Sequence, residues 1–131
     1  MKEVLKCRHY FRYADDIVIL HSDKPFLHKT FHEIQIYCTD KLKLQIKPNY
    51  QIFPVDKRGV DFVGYRFYHT HTLLRKSIKK NINKILNKYH GNKITIGEVK
   101  KSIGSYWGWL QYCNARHFEK KIKQALVVKE N

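Results

Sequence analysis

Asp15 and Asp16 stand side by side where two runs rich in β-branched and aromatic residues, 6–13 and 16–21, meet. A chain that runs extended, turns at once and returns extended forms an antiparallel hairpin, and Asp15 falls at or next to its tip. Two carboxylates about 4 Å apart repel by roughly 4 kcal/mol at an effective dielectric near 20, so the pair calls for a cation or a shared proton. The plainer alternative is a polar turn, where aspartate is favoured for local hydrogen bonding.

The rest of the chain has the opposite sign. Twenty-six Lys and Arg face eleven Asp and Glu, a formal net charge of +15. That excess favours a nucleic-acid partner, with an anionic membrane surface as the weaker alternative. A basic chain with one tight acidic pair suits a protein that holds polyanions and keeps a metal where phosphates react. No run approaches the length of a membrane span, and the N-terminus lacks the apolar core and cleavage site of a signal peptide; the expectation is a cytoplasmic protein with no membrane partner. A length of 131 residues, 43% hydrophobic, fits one average domain or two small ones with a modest core. Cys7, Cys38 and Cys113 are too far apart for a paired zinc pattern and odd in number, so they read as structural thiols. In His69-Thr70-His71 the two histidines can share a strand face and bind metal, but read better as solvated or primer-facing side chains.

Downstream of the hairpin, Ser22 or Asp23 can cap a helix that Pro25 opens. Phe26, Leu27, Phe31, Ile34, Cys38 and Leu42 form its apolar face, and it runs to about Lys43 before an extended 44–47. Residues 50–55 and 60–68 read as a second hairpin around Asp56, Lys57, Arg58 and Gly59. Gly64 then interrupts its second strand, marking a bulge or a close approach of another backbone. From Arg75 the period becomes helical. Ile78, Ile82, Ile85, Leu86 and Tyr89 share one face, with Lys76, Lys80, Lys84 and Lys88 opposite. Gly91 and Asn92 end that helix, Thr95 and Glu98 make a capping box for the next, and Asn114 is a candidate cap for a third. Ile96, Val99, Ile103 and Leu110 form the inner side of the second of these helices, and Phe118, Ile122, Ala125 and Leu126 that of the third.

Tyr13-Ala14-Asp15-Asp16-Ile17-Val18-Ile19-Leu20 resembles the catalytic hairpin of bacterial retroelement reverse transcriptases, the group II intron, diversity-generating and retron types taken together. Two further likenesses follow in order. Residues 59–67, Gly-Val-Asp-Phe-Val-Gly-Tyr-Arg-Phe, resemble their primer-grip hairpin, and 105–114, Ser-Tyr-Trp-Gly-Trp-Leu-Gln-Tyr-Cys-Asn, the middle of their thumb. The segment 69–80 leans toward the diversity-generating kind.

The resemblance implies an α+β fold: a partial polymerase palm over 1–72, built of antiparallel hairpins plus a helix, followed by a three-helix thumb bundle over 73–131. It implies an RNA-directed DNA polymerase in which Asp15 is the firm ligand of a two-metal magnesium site and Asp16 its close partner. Tyr13, Ala14, Gly64, Tyr65 and Arg66 would contact nucleic acid near the primer terminus, where a small Ala14 leaves room and another backbone nears Gly64. Lys47 would lie near the incoming nucleotide's phosphates. RNA template and DNA primer are the implied partners, with a structured RNA a further one. Lys76, Lys80 and Lys84 add a phosphate-tracking face, since nine Lys or Arg lie between Arg75 and Lys101 against the single acid Glu98. Of Tyr106, Trp107, Trp109 and Tyr112, at most one or two would reach nucleic acid while the others fill a core. Gly104 and Gly108, one turn apart, offer a strip open to a backbone.

Such enzymes carry their fingers and another catalytic aspartate upstream of the acidic hairpin, where twelve residues precede Tyr13. The expectation is a C-terminal half that binds metal poorly and does not polymerise alone, with apolar surface that promotes self-association. The competing expectations are a non-catalytic nucleic-acid-binding remnant and a partner subunit completed by a separate fingers protein.

Overall fold

The structure is a computed structural model that describes residues 6–127. Among the described residues it is mixed α+β, with five helices and two small antiparallel sheets, and it divides into two compact units, Met1–Pro54 and Val55–Asn131.

In the first unit, β1 (His9–Tyr13) pairs with β2 (Asp16–Leu20) in the register Tyr13↔Asp16, Arg12↔Ile17, Phe11↔Val18. The expected hairpin is present, trimmed at its outer ends. Helix α1 (Lys24–Leu42) follows. Asp23 is its N-cap residue without using its side chain; its N–H is instead taken by His21 Nδ1 at 3.0 Å, while the His21 ring stacks on Phe26 at 4.1 Å. The helix closes at Lys43 in the left-handed region, φ 54°, where the Leu44 N–H donates to the Cys38 carbonyl at 2.9 Å. Phe31 then stacks on Tyr50 at 3.8 Å and folds the following loop back on the helix. Only Cys7, Thr30 and Ile34 are buried among the described residues of this unit. Leu42, expected on the inner face, is exposed, as are Ile36, Tyr37, Leu44 and, on the hairpin, Phe11, Tyr13, Ile17 and Leu20.

The expected hairpin over 50–68 is corrected by the structure. Residues 51–54 have no regular structure, and Val55–Arg58 is a one-turn helix, α2. Gly59 ends that turn rather than joining two strands: its N–H returns to the Val55 carbonyl at 2.7 Å and its φ is 68°. The sheet is β3 (Val60–Phe62), β4 (Tyr65–Phe67) and β5 (Thr72–Leu74), each neighbour antiparallel. Phe62 pairs with Tyr65, so Gly64 lies in a two-residue turn with Val63, not inside a strand. Both turn residues have positive φ, 48° and 83°, as a type I′ turn requires.

Helices α3 (Lys76–His90), α4 (Ile96–Leu110) and α5 (Arg116–Val127) follow as expected. Their inner faces and Leu74 of β5 make one core of Ile82, Leu86, Tyr89, Val99, Ile103, Leu110, Ala115 and Ile122. Ile82, Val99 and Ile122 have no exposed surface, and burying each contributes about 2 kcal/mol. The Thr95–Glu98 box is formed in both directions: Glu98 N–H donates to Thr95 Oγ1 at 3.3 Å, and Thr95 N–H to Glu98 Oε2 at 2.8 Å. Asn114 does not cap α5 as expected. Its N–H donates to the Thr72 carbonyl at 2.8 Å and its Oδ1 accepts the Thr72 N–H at 2.9 Å, which clasps β5 to the α4–α5 corner.

Candidate functional site

Each unit carries candidate residues of its own. In the first, the Tyr13↔Asp16 pairing leaves only Ala14 and Asp15 in the loop, so Asp15 occupies the tip and Asp16 the first position of β2. Residues directly opposite in an antiparallel pair project to the same face, which puts Tyr13 and Asp16 together. Ala14 holds φ 50°, a conformation that costs an alanine on the order of 1 kcal/mol, and Arg12 Nε–H donates to the Ala14 carbonyl at 3.0 Å across the turn. Asp15 and Asp16 are both exposed. Among the described residues no hydrogen bond or ion pair engages either carboxylate, so both oxygen pairs are available to a ligand. Lys47 is exposed in the irregular stretch after α1.

Two carboxylates without a competing cation fit magnesium, which takes one or two protein oxygens and completes its shell with water and substrate phosphates. Among the described residues no group of three or more His, Cys, Asp or Glu side chains gathers. His69 and His71 are used separately: His69 Nδ1 lies 2.8 Å from Asp56 Oδ1, and the His71 ring stacks on Tyr68 at 4.5 Å.

In the second unit, Lys76, Lys80, Lys84 and Lys88 are all exposed along α3, opposite Ile82, Leu86 and Tyr89. Four residues of helix rise about 6 Å, so these ammonium groups form a row of like charge along one face of α3. Lys79 is turned away from this row, its Nζ 5.9 Å from the centre of the Phe118 ring.

The expected grip residues have internal partners. Gly64 is buried, and a Cβ built on it would lie 2.0 Å from the Trp109 ring; the close neighbour that requires glycine here is this indole. Tyr65 packs against the same ring with centroids 5.4 Å apart and donates its hydroxyl to the Trp109 carbonyl at 3.0 Å. Burial pushes the Tyr65 hydroxyl pKa up, with Cys113 and Tyr112 adding to the shift. Burial likewise raises the Cys113 thiol, against the pull of nearby Lys79. Arg66 faces Asp61 across the hairpin. On α4, Tyr106, Trp107 and Trp109 pack on the core, while Tyr112, in the turn that follows, is 76% exposed. Gly104 and Gly108 have no atom within 4 Å of an added Cβ, so the strip they form is open.

Sequence reasoning missed the acid–base cluster of Asp61, Arg66 and Arg75. The available signal was Asp61 and Arg66 in direct register, which appears only once the turn is placed at Val63 and Gly64. No family model matches the chain, and no curated protein matches it. Among the described residues no helix is long and apolar enough to cross a membrane.

Proposed function

We propose that this chain is the lower palm and thumb portion of an RNA-directed DNA polymerase of the bacterial retroelement kind, binding a template–primer duplex and supplying two metal-binding acids to nucleotide transfer. The observation that carries the reading is the two-residue hairpin loop that holds Asp15 at its tip and Asp16 beside Tyr13, both exposed and without an internal partner. In this reading residues 1–72 are palm and 73–131 thumb.

Asp15 and Asp16 would hold magnesium, which when bound lowers the pKa of a primer 3′-hydroxyl and stabilises charge on the leaving group. The chain's own part is positional. The Arg12 hydrogen bond fixes the loop, the small Ala14 leaves the tip accessible, and Tyr13 shares the face of Asp16 where a primer end would pack. The α3 lysines would take backbone phosphates without reading base sequence. Nucleotide transfer is proposed for a polymerase that also supplies the further aspartate the resemblance implies.

The lysine row also supports a second reading, a non-catalytic duplex-binding module, because it lies on a unit with its own core. Asp15→Ala separates the two. In a complete enzyme that contains this chain, the polymerase reading expects primer extension to be lost with duplex affinity unchanged. Extension that survives the substitution overturns it.

A further inference from the structure

Asp61 of β3 draws two arginines from different elements onto one carboxylate. Arg75, at the start of α3, grips Oδ1 through Nε at 2.6 Å and through Nη2. Arg66 of β4 is held differently: its Nη2 stands 3.7 Å from Oδ2, an ion pair beyond hydrogen-bond reach. No other partner holds the Arg66 guanidinium among the described residues, and its stem is pinned where Gly59 leaves room, since a Cβ there would lie 2.7 Å from Arg66 Cγ. All three side chains keep 39% of their surface open. The cluster thus has one negative charge against two positive ones, beside Lys76, the first lysine of the exposed row.

We propose that Asp61 is an internal stand-in for a nucleic-acid phosphate: in the free protein it occupies the Arg66 anion site, and a backbone phosphate of a bound duplex displaces it. An exposed ion pair at this separation holds little. A phosphate offers Arg66 the bidentate geometry that Asp61 does not give it. Arg75, doubly bonded, stays on Asp61 as the anchor, so the carboxylate both sets the cradle and weakens it by like-charge repulsion of the incoming phosphate. This inference rests on the duplex-binding reading above and extends it to residues on the sheet.

The test is binding of a labelled RNA–DNA hybrid duplex to the full chain across a salt series, for the native protein, Asp61→Asn, Arg66→Gln and the double variant, each checked for fold by near-ultraviolet circular dichroism. Asp61→Asn is expected to bind several-fold tighter at low salt, while one phosphate contact is worth about 0.9 in the salt slope. Arg66→Gln is expected to lower the native slope by a similar amount, and the double variant to lose the gain. A folded Asp61→Asn that binds no better than the native chain overturns the inference. Should Asp61→Asn fail to fold, an unchanged slope in Arg66→Gln overturns it, and a lowered slope supports it. A native chain whose affinity ignores salt removes the duplex-binding reading itself, and this inference with it; native salt dependence with no response in the variants removes the inference alone.

Discussion

The indole of Trp109 fills the space beside Gly64, 2.0 Å from where a Cβ would stand, while Gly64 itself turns the chain with φ 83°. Two constraints therefore fall on one residue. Gly64→Ala is expected to destabilise the second unit by about 3 kcal/mol or more, through overpacking and a disfavoured backbone together. Urea unfolding followed by tryptophan fluorescence reads this directly. Shortening the ring as well, in Gly64→Ala with Trp109→Leu, should recover the steric part and leave the backbone part.

The Thr95–Glu98 box makes α4 sensitive to acid. Hydrogen bonds from the Thr95 backbone and then its hydroxyl hold the Glu98 carboxyl below its usual pKa. A folded-state pKa below the unfolded one stabilises the fold above the unfolded value, and that contribution is lost as pH falls through the folded value. Thermal melts are expected to show a drop in stability on the acid side of the carboxylate range that Glu98→Gln flattens. An identical acid profile in the variant contradicts the assignment.

At the acidic tip, Ala14→Gly is expected to stabilise the hairpin by about 1 kcal/mol, because glycine takes positive φ without the Cβ penalty. Amide hydrogen exchange of β1 and β2 is the suitable readout, since it reports the first unit by itself.

The exposed Phe11, Tyr13, Ile17, Leu20, Ile36, Tyr37 and Leu44 predict self-association through the first unit. The net charge of +15 opposes it at low salt and is screened at high salt. Sedimentation is expected to show larger species as salt rises, reduced by Ile17→Lys. A monomer at every salt concentration contradicts this.

Where the chain carries strong local signals, its structure was readable from sequence. The Thr95–Glu98 box, the α3 inner face from Ile82 to Tyr89, and the turn carrying Asp15 all fall where periodicity and capping chemistry put them. The stretch from Tyr50 to Gly64 was not readable, because one residue type serves two purposes there. Gly59, which suits a hairpin turn, instead ends the α2 turn, and Gly64, which suits a bulge, is the hairpin turn. Val63 hides that turn, since a β-branched residue with φ 48° runs against local preference. Asn114 has the chemistry of a helix cap, and only the fold brings Thr72 within its reach. The partners of Tyr65 and Arg75 are likewise tertiary: Trp109 is 44 residues from Tyr65 in sequence, and Asp61 is 14 from Arg75.

Binding of a duplex by the α3 lysine face is decided by the affinity for an RNA–DNA hybrid against salt, native chain beside Lys76→Gln/Lys80→Gln/Lys84→Gln. With about six phosphate contacts, native affinity should fall on the order of a thousandfold between roughly 50 and 200 mM salt, and the triple variant should lose about 2.7 from the log–log slope. A nearly flat native response, or a triple variant with the native slope, would rule out a duplex held by this face.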